Sequence, residues 1–233
     1  MAVVQTFAPN TSGRDFVVGD IHGMFPVLEA VLDEIGFDVY RDRLFSVGDI
    51  VDRGPASADA LTWWTYPWFH ACRGNHEQML LDCHRNPANR SLWAMNGGTW
   101  WADIPPARRE AFVEACHELP YAMEIETARG AVGIVHADLP RGCTWDDLLE
   151  ALGRRDRKVM AEALWSRTHI HDDAPVPDAG ERIWHVYCGH TVIRAPKTRG
   201  KITWIDTGAC YADRFSPAHL TLLEFHPGSS ADV

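Results

Sequence analysis

The chain has 233 residues, 46% of them hydrophobic, with a formal charge of −10 and six cysteines. That apolar supply supports one sizeable α/β core without disulfide staples, and no stretch approaches the roughly 18 apolar residues a membrane span needs. The acidic balance argues against non-specific nucleic-acid binding, which draws on a basic surface. Met1 to Pro9 lacks a basic region followed by an apolar run, so no signal peptide is expected. Cys72, Cys83, Cys116, Cys143, Cys188 and Cys210 form no C-x-x-C pair and read as incidental thiols of a cytoplasmic protein.

In chain order, Arg14 to Val18 reads as a strand, and Phe25 to Ile35 as a helix with Phe25, Leu28, Val31, Leu32 and Ile35 at helical spacing. Leu44 to Val47 is a strand, Ala56 to Trp64 a helix after Gly54-Pro55, Phe69 to Cys72 a strand and Glu77 to His84 a helix. This alternation predicts a largely parallel sheet flanked by helices. Ser91 to His117 reads as helical, broken at Asn96-Gly97-Gly98 and at Pro105-Pro106. Strand patterns return at Tyr121 to Thr127 and Ala131 to Val135, and Asp146 to Ala163 reads as one helix. His169 to Arg182 reads as an exposed loop. Strands follow at Ile183 to Cys188, Lys201 to Ile205 and Leu220 to Phe225. No linker divides the chain, so one domain over residues 1–227 is expected, with residues 228–233 a frayed tail.

Several strands end alike, with a buried apolar run that stops at a glycine or small residue followed by a polar group. They give Gly19-Asp20-Ile21-His22-Gly23, Gly48-Asp49-Ile50-Val51-Asp52-Arg53-Gly54-Pro55, Arg73-Gly74-Asn75-His76-Glu77, Val135-His136-Ala137 and Cys188-Gly189-His190-Thr191. Ligand sites form at the carboxyl ends of strands in α/β sheets, so the pattern gathers Asp20, His22, Asp49, Asn75, His136 and His190 along one edge. Imidazoles and carboxylates without a thiolate suit two divalent ions of the Mn, Fe or Zn kind. Asp49 is the natural bridging carboxylate between ions that two-metal sites hold roughly 3.5–4 Å apart. Two such ions, two Asp and a hydroxide leave about one positive charge to attract a phosphate dianion. Arg53 and Arg73 lie within these motifs, and a guanidinium fork matches phosphate oxygens. His76 is placed to protonate a leaving oxygen, with Asp52 to orient it.

These segments, together with Met95-Asn96-Gly97-Gly98-Thr99-Trp100-Trp101, Ile134 to Pro140 and Leu164-Trp165-Ser166-Arg167, resemble the phosphoprotein phosphatase family in its small bacterial and phage-lambda-type branch. The likeness spans about positions 16 to 208. The resemblance implies a calcineurin-like α/β fold, a central β-sandwich flanked by α-helices. It implies Asp20, His22 and Asp49 on one metal, and Asp49, Asn75, His136 and His190 on the other. It further implies in-line attack by a metal-bridging hydroxide without a phosphoenzyme, His76 with Asp52 assisting the leaving alkoxide, and Arg53, Arg73 and Arg167 gripping phosphate. Manganese is the metal such enzymes usually work with. The expected activity is a phosphomonoesterase, namely a serine/threonine protein phosphatase acting on phosphorylated protein or peptide, with no nucleic-acid or membrane partner. The C-terminal loop with a phosphate-facing tyrosine, typical of eukaryotic members, is not recognisable.

The alternatives are few. Symmetrical diadenosine tetraphosphate hydrolases share the first and third motifs, but usually lack the acid before arginine that Asp52-Arg53 supplies here. A metal-dependent scaffold without turnover is a third reading, disfavoured because every expected catalytic position is filled. Arg167 could instead cap helix carbonyls. His169 to Asp173 reads as a solvated loop rather than a second metal site. His70, His84, His117, His185, His219 and His226 have no evident partners, Trp63-Trp64 and Trp100-Trp101 read as helix packing, and Cys83 and Cys188, near the metal motifs, read as incidental thiols rather than oxidation sensors.

Overall fold

The central strands carry near-continuous apolar runs and are buried on both faces, one against the other sheet and one against helices. The protein is described by a computed structural model covering residues 3–171, 173–175, 178–212, 214 and 218–225. Its strands are β1 (Val4–Phe7), β2 (Asp15–Val18), β3 (Arg43–Ser46), β4 (Phe69–Ala71), β5 (Ala122–Ile125), β6 (Ala131–Val135), β7 (Ile183–Cys188), β8 (Lys197–Arg199), β9 (Ile202–Trp204) and β10 (Leu222–Glu224). Its α-helices are α1 (Phe25–Glu34), α2 (Ala60–Trp63), α3 (Asn75–Arg85), α4 (Arg90–Met95), α5 (Pro106–Glu118), α6 (Trp145–Gly153) and α7 (Arg157–Trp165).

Two sheets form, in the orders β1-β5-β6-β7-β9-β8 and β10-β2-β3-β4. Val17, Phe45, Val47 and Phe225 of the smaller sheet pack against Met123, Ile125, Val132, Ile134, Tyr187 and Ile205 of the larger one. The alternate residues of the same strands face outward. Phe16, Val18 and Leu44 meet Leu28 of α1 and Leu80 of α3, while Val135, Val186, Cys188 and Trp204 meet Trp145 and Leu148 of α6. Burying each such side chain stabilises the fold by about 1.5–3 kcal/mol.

The two sheets are the β-sandwich that the resemblance implies, and the largely parallel order read from the β-α rhythm holds only in part, because each sheet is mixed. β2, β3 and β4 run parallel and β10 joins antiparallel, while β6, β7 and β9 run parallel between antiparallel neighbours β5 and β8. β1, which pairs with β5, and β8 were not anticipated. Both are edge strands with half-exposed faces, which leave a weak apolar alternation. The helix expected over Asp146 to Ala163 is two. Arg155 takes a left-handed φ of 57°, and the Asp156 side chain accepts the N–H groups of Lys158 and Val159 to start α7 anew. Both expected breaks between Ser91 and His117 occur, separating α4, a 3₁₀ segment (Gly98–Asp103) and α5. The expected tail and His226 lie outside the described residues.

Parallel order puts the ends of β2, β3 and β4 on one edge, and those of β6, β7 and β9 on the facing edge of the other sheet. The two edges are joined there, because the His136 ring donates from Nδ1 to the carbonyl of Val47 at 2.9 Å.

Candidate metal centre

The loops at these strand ends are strained. His22, Asp49, Asp52, Arg53 and His190 have φ between 46° and 74°, and among the described non-glycine residues only Arg155 shares the left-handed region. Each such residue costs of order 1–3 kcal/mol and persists only where its surroundings impose it. Glu77, wholly buried, supplies that constraint at Asp49. Its carboxylate accepts the backbone N–H groups of Gly74 (2.8 Å), Asp49 (3.0 Å), Ile50 (2.8 Å) and Val51 (3.2 Å), so one side chain clamps two motif loops together. Burial, and then the Asp49 charge, push its carboxyl up to about 7 against the pull of those donors. Two glycines are dictated by close approach. A Cβ at position 74 would lie 2.1 Å from Oδ1 of Asp49, and one at position 189 would lie 2.0 Å from Oδ1 of Asp20.

The imidazoles are oriented as metal ligands are. His22 donates from Nδ1 to the carbonyl of Val51 at 2.9 Å, and His136 likewise to Val47. Those bonds fix the tautomer and leave the ring's lone pair on Nε2. Burial lowers the basicity of His22 and His136 and brings His190 down to about 3, so these rings are neutral near pH 7. Nε2 of His136 then faces Oδ1 of Asn75 at 2.8 Å and Oδ1 of Asp49 at 3.4 Å. Lone pairs converging in this way call for a cation. His190 joins them, with Nδ1 2.7 Å from the same Asn75 oxygen and Nε2 buried without a partner. On the other side of Asp49, Oδ2 lies 3.7 Å from Nε2 of His22 and 3.8 Å from Nε2 of His76. Donor atoms within 4.8 Å of one another thus form two groups, His22-Asp49-His76 and Asp49-His136-His190, which share Asp49.

Asp20 stands slightly apart, outside both groups. Its two oxygens each lie 3.1 Å from the backbone N of His190. Burial, followed by the charges of Asp206 and Asp49, raises its carboxyl well above the ordinary range. Asp206 was missed in the sequence, although Ile205-Asp206-Thr207-Gly208 repeats the apolar-run-then-acid ending. Its Oδ2 is buried with no partner, and burial pushes its carboxyl up to about 6. Three carboxylates, each no more than 3% exposed, therefore gather where positive charge is needed.

The remaining expected residues divide. His76 donates from Nδ1 to Oδ2 of Asp52 at 2.7 Å. Burial opposes a charge on this ring, but Asp49 and Asp52 outweigh it and raise its basicity. Arg53 donates from Nη1 to Nε2 of His22, and its guanidinium lies 5.5 Å from the centre of the Tyr211 ring. Tyr211, like Asp206, carried no recognised signal. Arg167 reaches the rim, donating to Thr191 Oγ1 at 3.3 Å beside His190. Arg73 is not brought to the cluster. Its guanidinium donates to the carbonyls of His117 (3.0 Å) and Leu119 (3.3 Å), to Tyr121 and to Gln78, tying the end of α5 to β5.

Some bland readings change. His169 and Ile170 are buried rather than solvated, and His169 pairs with the buried Asp138 through its N–H at 2.8 Å and its ring at 3.0 Å. His70 packs between Phe7 and Phe45, and His185 bonds Thr203 Oγ1 at 2.7 Å. Cys83 and Cys188 are buried, and burial pushes both thiols up, away from the reactive thiolate. Trp63 and Trp101 are core residues, but Trp100 is not merely packing, because its indole N–H bonds Asp52.

Comparison with known proteins agrees with this geometry. A family model described as Calcineurin-like phosphoesterase matches residues 16–217. The chain is 34% identical over 209 residues to Serine/threonine-protein phosphatase 1 of Salmonella typhimurium, a match covering 88% of this chain and 91% of that protein. It is 29% identical over 154 residues to a symmetrical bis(5'-nucleosyl)-tetraphosphatase of Paracidovorax citrulli, covering 64% of this chain and 52% of that one. The fold is similar to that of a protein serine/threonine phosphatase from Saccharomyces cerevisiae. That likeness has a TM-score of 0.63 at 17% identity and covers 100% of this chain and 86% of that one.

Proposed function

The chain belongs to the calcineurin-like phosphoesterase family, and from that premise we propose that it removes phosphate from phosphorylated serine or threonine in proteins. The observation that carries this reading is the His76–Asp52 pair beside a shared Asp49. A phosphomonoester of an alkyl alcohol needs its leaving oxygen protonated, and a buried imidazole held between two acids is a proton donor suited to that task. An internal phosphoanhydride, with its better leaving group, needs less such help.

The family implies divalent metal ions, and the converging lone pairs fit them. In our reading Asp20, His22 and Asp49 hold one, and Asp49, Asn75, His136 and His190 the other. Oxygen and nitrogen donors without thiolate support manganese, with iron or zinc as substitutes. When bound, the ions supply positive charge to the phosphoryl oxygens and acidity to water. The chain's own groups do the rest. Arg53 beside His22 and Arg167 at the rim bind phosphate oxygens. His76 delivers a proton from Nε2 to the alkoxide as it leaves, and Asp52 keeps the ring turned and balances its charge. Arg73 serves the scaffold rather than the phosphate. We place this single catalytic domain in the cytoplasm, a reading supported by its six free cysteines. Among the described residues no helix is long and apolar enough to cross a membrane.

Product analysis tests the substrate. Manganese-loaded protein is offered a phosphothreonine peptide and diadenosine tetraphosphate side by side. Faster release of inorganic phosphate from the peptide is expected, and faster formation of ADP from the dinucleotide would transfer the function to the tetraphosphatase reading.

A further inference from the structure

Asp52 is wholly buried, and among the described residues the side chains that donate hydrogen bonds to it are all rings. Oδ2 accepts from Nδ1 of His76 and from Nε1 of Trp93, both at 2.7 Å, and Oδ1 accepts from Nε1 of Trp100 at 2.6 Å. Trp93 belongs to α4 and Trp100 to the 3₁₀ segment that follows, 41 and 48 residues beyond the acid they hold. The chain between them is folded onto the strained turn. Gly97, with φ of 108°, accepts the backbone N–H of Arg53 at 3.2 Å, and a Cβ at Gly98 would meet the Trp93 indole at 2.5 Å. The two indoles meet edge to face with centroids 6.4 Å apart, and Trp100 packs 5.0 Å from Phe112 of α5.

We propose that Trp93 and Trp100 are positioning residues for the proton donor, fixing the Asp52 carboxylate so that it in turn fixes His76. An indole offers one N–H and no acceptor. Two indoles facing one carboxyl therefore require two acceptor oxygens, and leave His76 as the ring that must present its Nδ1–H. A water or hydroxyl in their place could donate or accept and would let the carboxylate turn. Indoles also bring apolar area, so Asp52 is satisfied without solvent, where each hydrogen bond to a charge is strongest. The short segment from α4 through the 3₁₀ turn thereby acts on the chemistry without touching substrate.

The inference rests on His76 as proton donor, and its test separates the two. Trp93→Phe and Trp100→Phe keep a ring and remove the N–H. Each should lower kcat on a phosphothreonine peptide by about 10- to 100-fold, while kcat on p-nitrophenyl phosphate, whose phenolate leaves unprotonated, falls by less than about 3-fold and KM for both is little changed. Trp101→Phe, in the same aromatic cluster without a bond to Asp52, is the control and should leave the ratio of the two rates unchanged. A readout free of turnover is the low-field proton resonance of His76 Nδ1–H in the metal-free protein, assigned by its absence in His76→Asn. It should persist in wild type and Trp101→Phe, and shift or vanish in the other two variants. Benzothienylalanine at position 100, which replaces N–H by sulfur in the same ring shape, serves if Trp100→Phe does not fold. An unchanged resonance, or equal losses on both substrates, overturns the inference. A wild type that ignores phosphothreonine counts against the proposed substrate, and the resonance still decides the role of the indoles.

Discussion

The Glu77 carboxylate accepts the backbone N–H of Asp49 at 3.0 Å, so the residue that both candidate metal groups share is held by an acid that belongs to neither. The same carboxylate takes the N–H groups of Ile50, Val51 and Gly74. Glu77→Ala leaves these donors buried and unmatched, and should lower the unfolding free energy by about 3–5 kcal/mol and reduce manganese content. Glu77→Gln keeps one acceptor oxygen and should cost less. Urea unfolding with metal analysis checks both, and a loss under about 1 kcal/mol for the alanine variant contradicts the clamp.

Asp49→Asn removes a charge that both groups use. It should abolish binding of both metals together with turnover, because neither group is complete without the carboxylate. Near-normal manganese by elemental analysis would refute the bridging role.

His76→Asn should cut turnover of a phosphoserine peptide by about 10²–10⁴-fold and of p-nitrophenyl phosphate far less. Steady-state rates on the two substrates read this directly. Equal losses would mean that His76 is a ligand or a strut rather than an acid, which its place in the His22-Asp49 group makes a fair contest.

Metal binding should release protons. Without metal, Asp206 stands at about 6 and Asp20 is raised, in both cases chiefly by burial, so these carboxyls hold protons above the usual carboxylate range. Bound cations favour their charged forms, so affinity should rise as pH climbs from about 5 to 7, across the range where Asp206 gives up its proton, and the raised Asp20 adds to the release. His190, at about 3, is already neutral across that window and adds no proton. Calorimetry in buffers of different ionisation enthalpy measures the release at pH 6, and none found there would contradict the charge arrangement.

Much of the candidate site was legible because parallel strands convert a repeated local spelling into a shared edge. Asp20, Asn75, His136 and His190 each follow an apolar run, and register did the gathering. Arg73 shows where that logic stops. It shares a motif with Asn75, but its direction is set by carbonyls 44 and 46 residues away, which no local pattern announces. Trp93 and Trp100 were hidden differently, since an indole that packs and an indole that also donates look alike in sequence. The division into two sheets was legible from the family resemblance and not from the β-α rhythm, because both halves of the chain carry the same short apolar runs.

Arginine roles follow from those directions. Arg73→Ala should destabilise the fold by about 2–3 kcal/mol and leave KM for p-nitrophenyl phosphate near wild type, whereas Arg53→Ala should raise KM by about 10-fold with little loss of stability. Thermal unfolding beside KM measurements checks the contrast, and the reverse pattern would return Arg73 to the phosphate.

The most direct test of a two-metal phosphoesterase is phosphate release from a phosphothreonine peptide by metal-stripped protein, with and without added manganese. The account predicts no release before addition and restored turnover once about two ions are bound per chain. Equal release without metal, or two ions bound with no phosphoester cleaved, would contradict it.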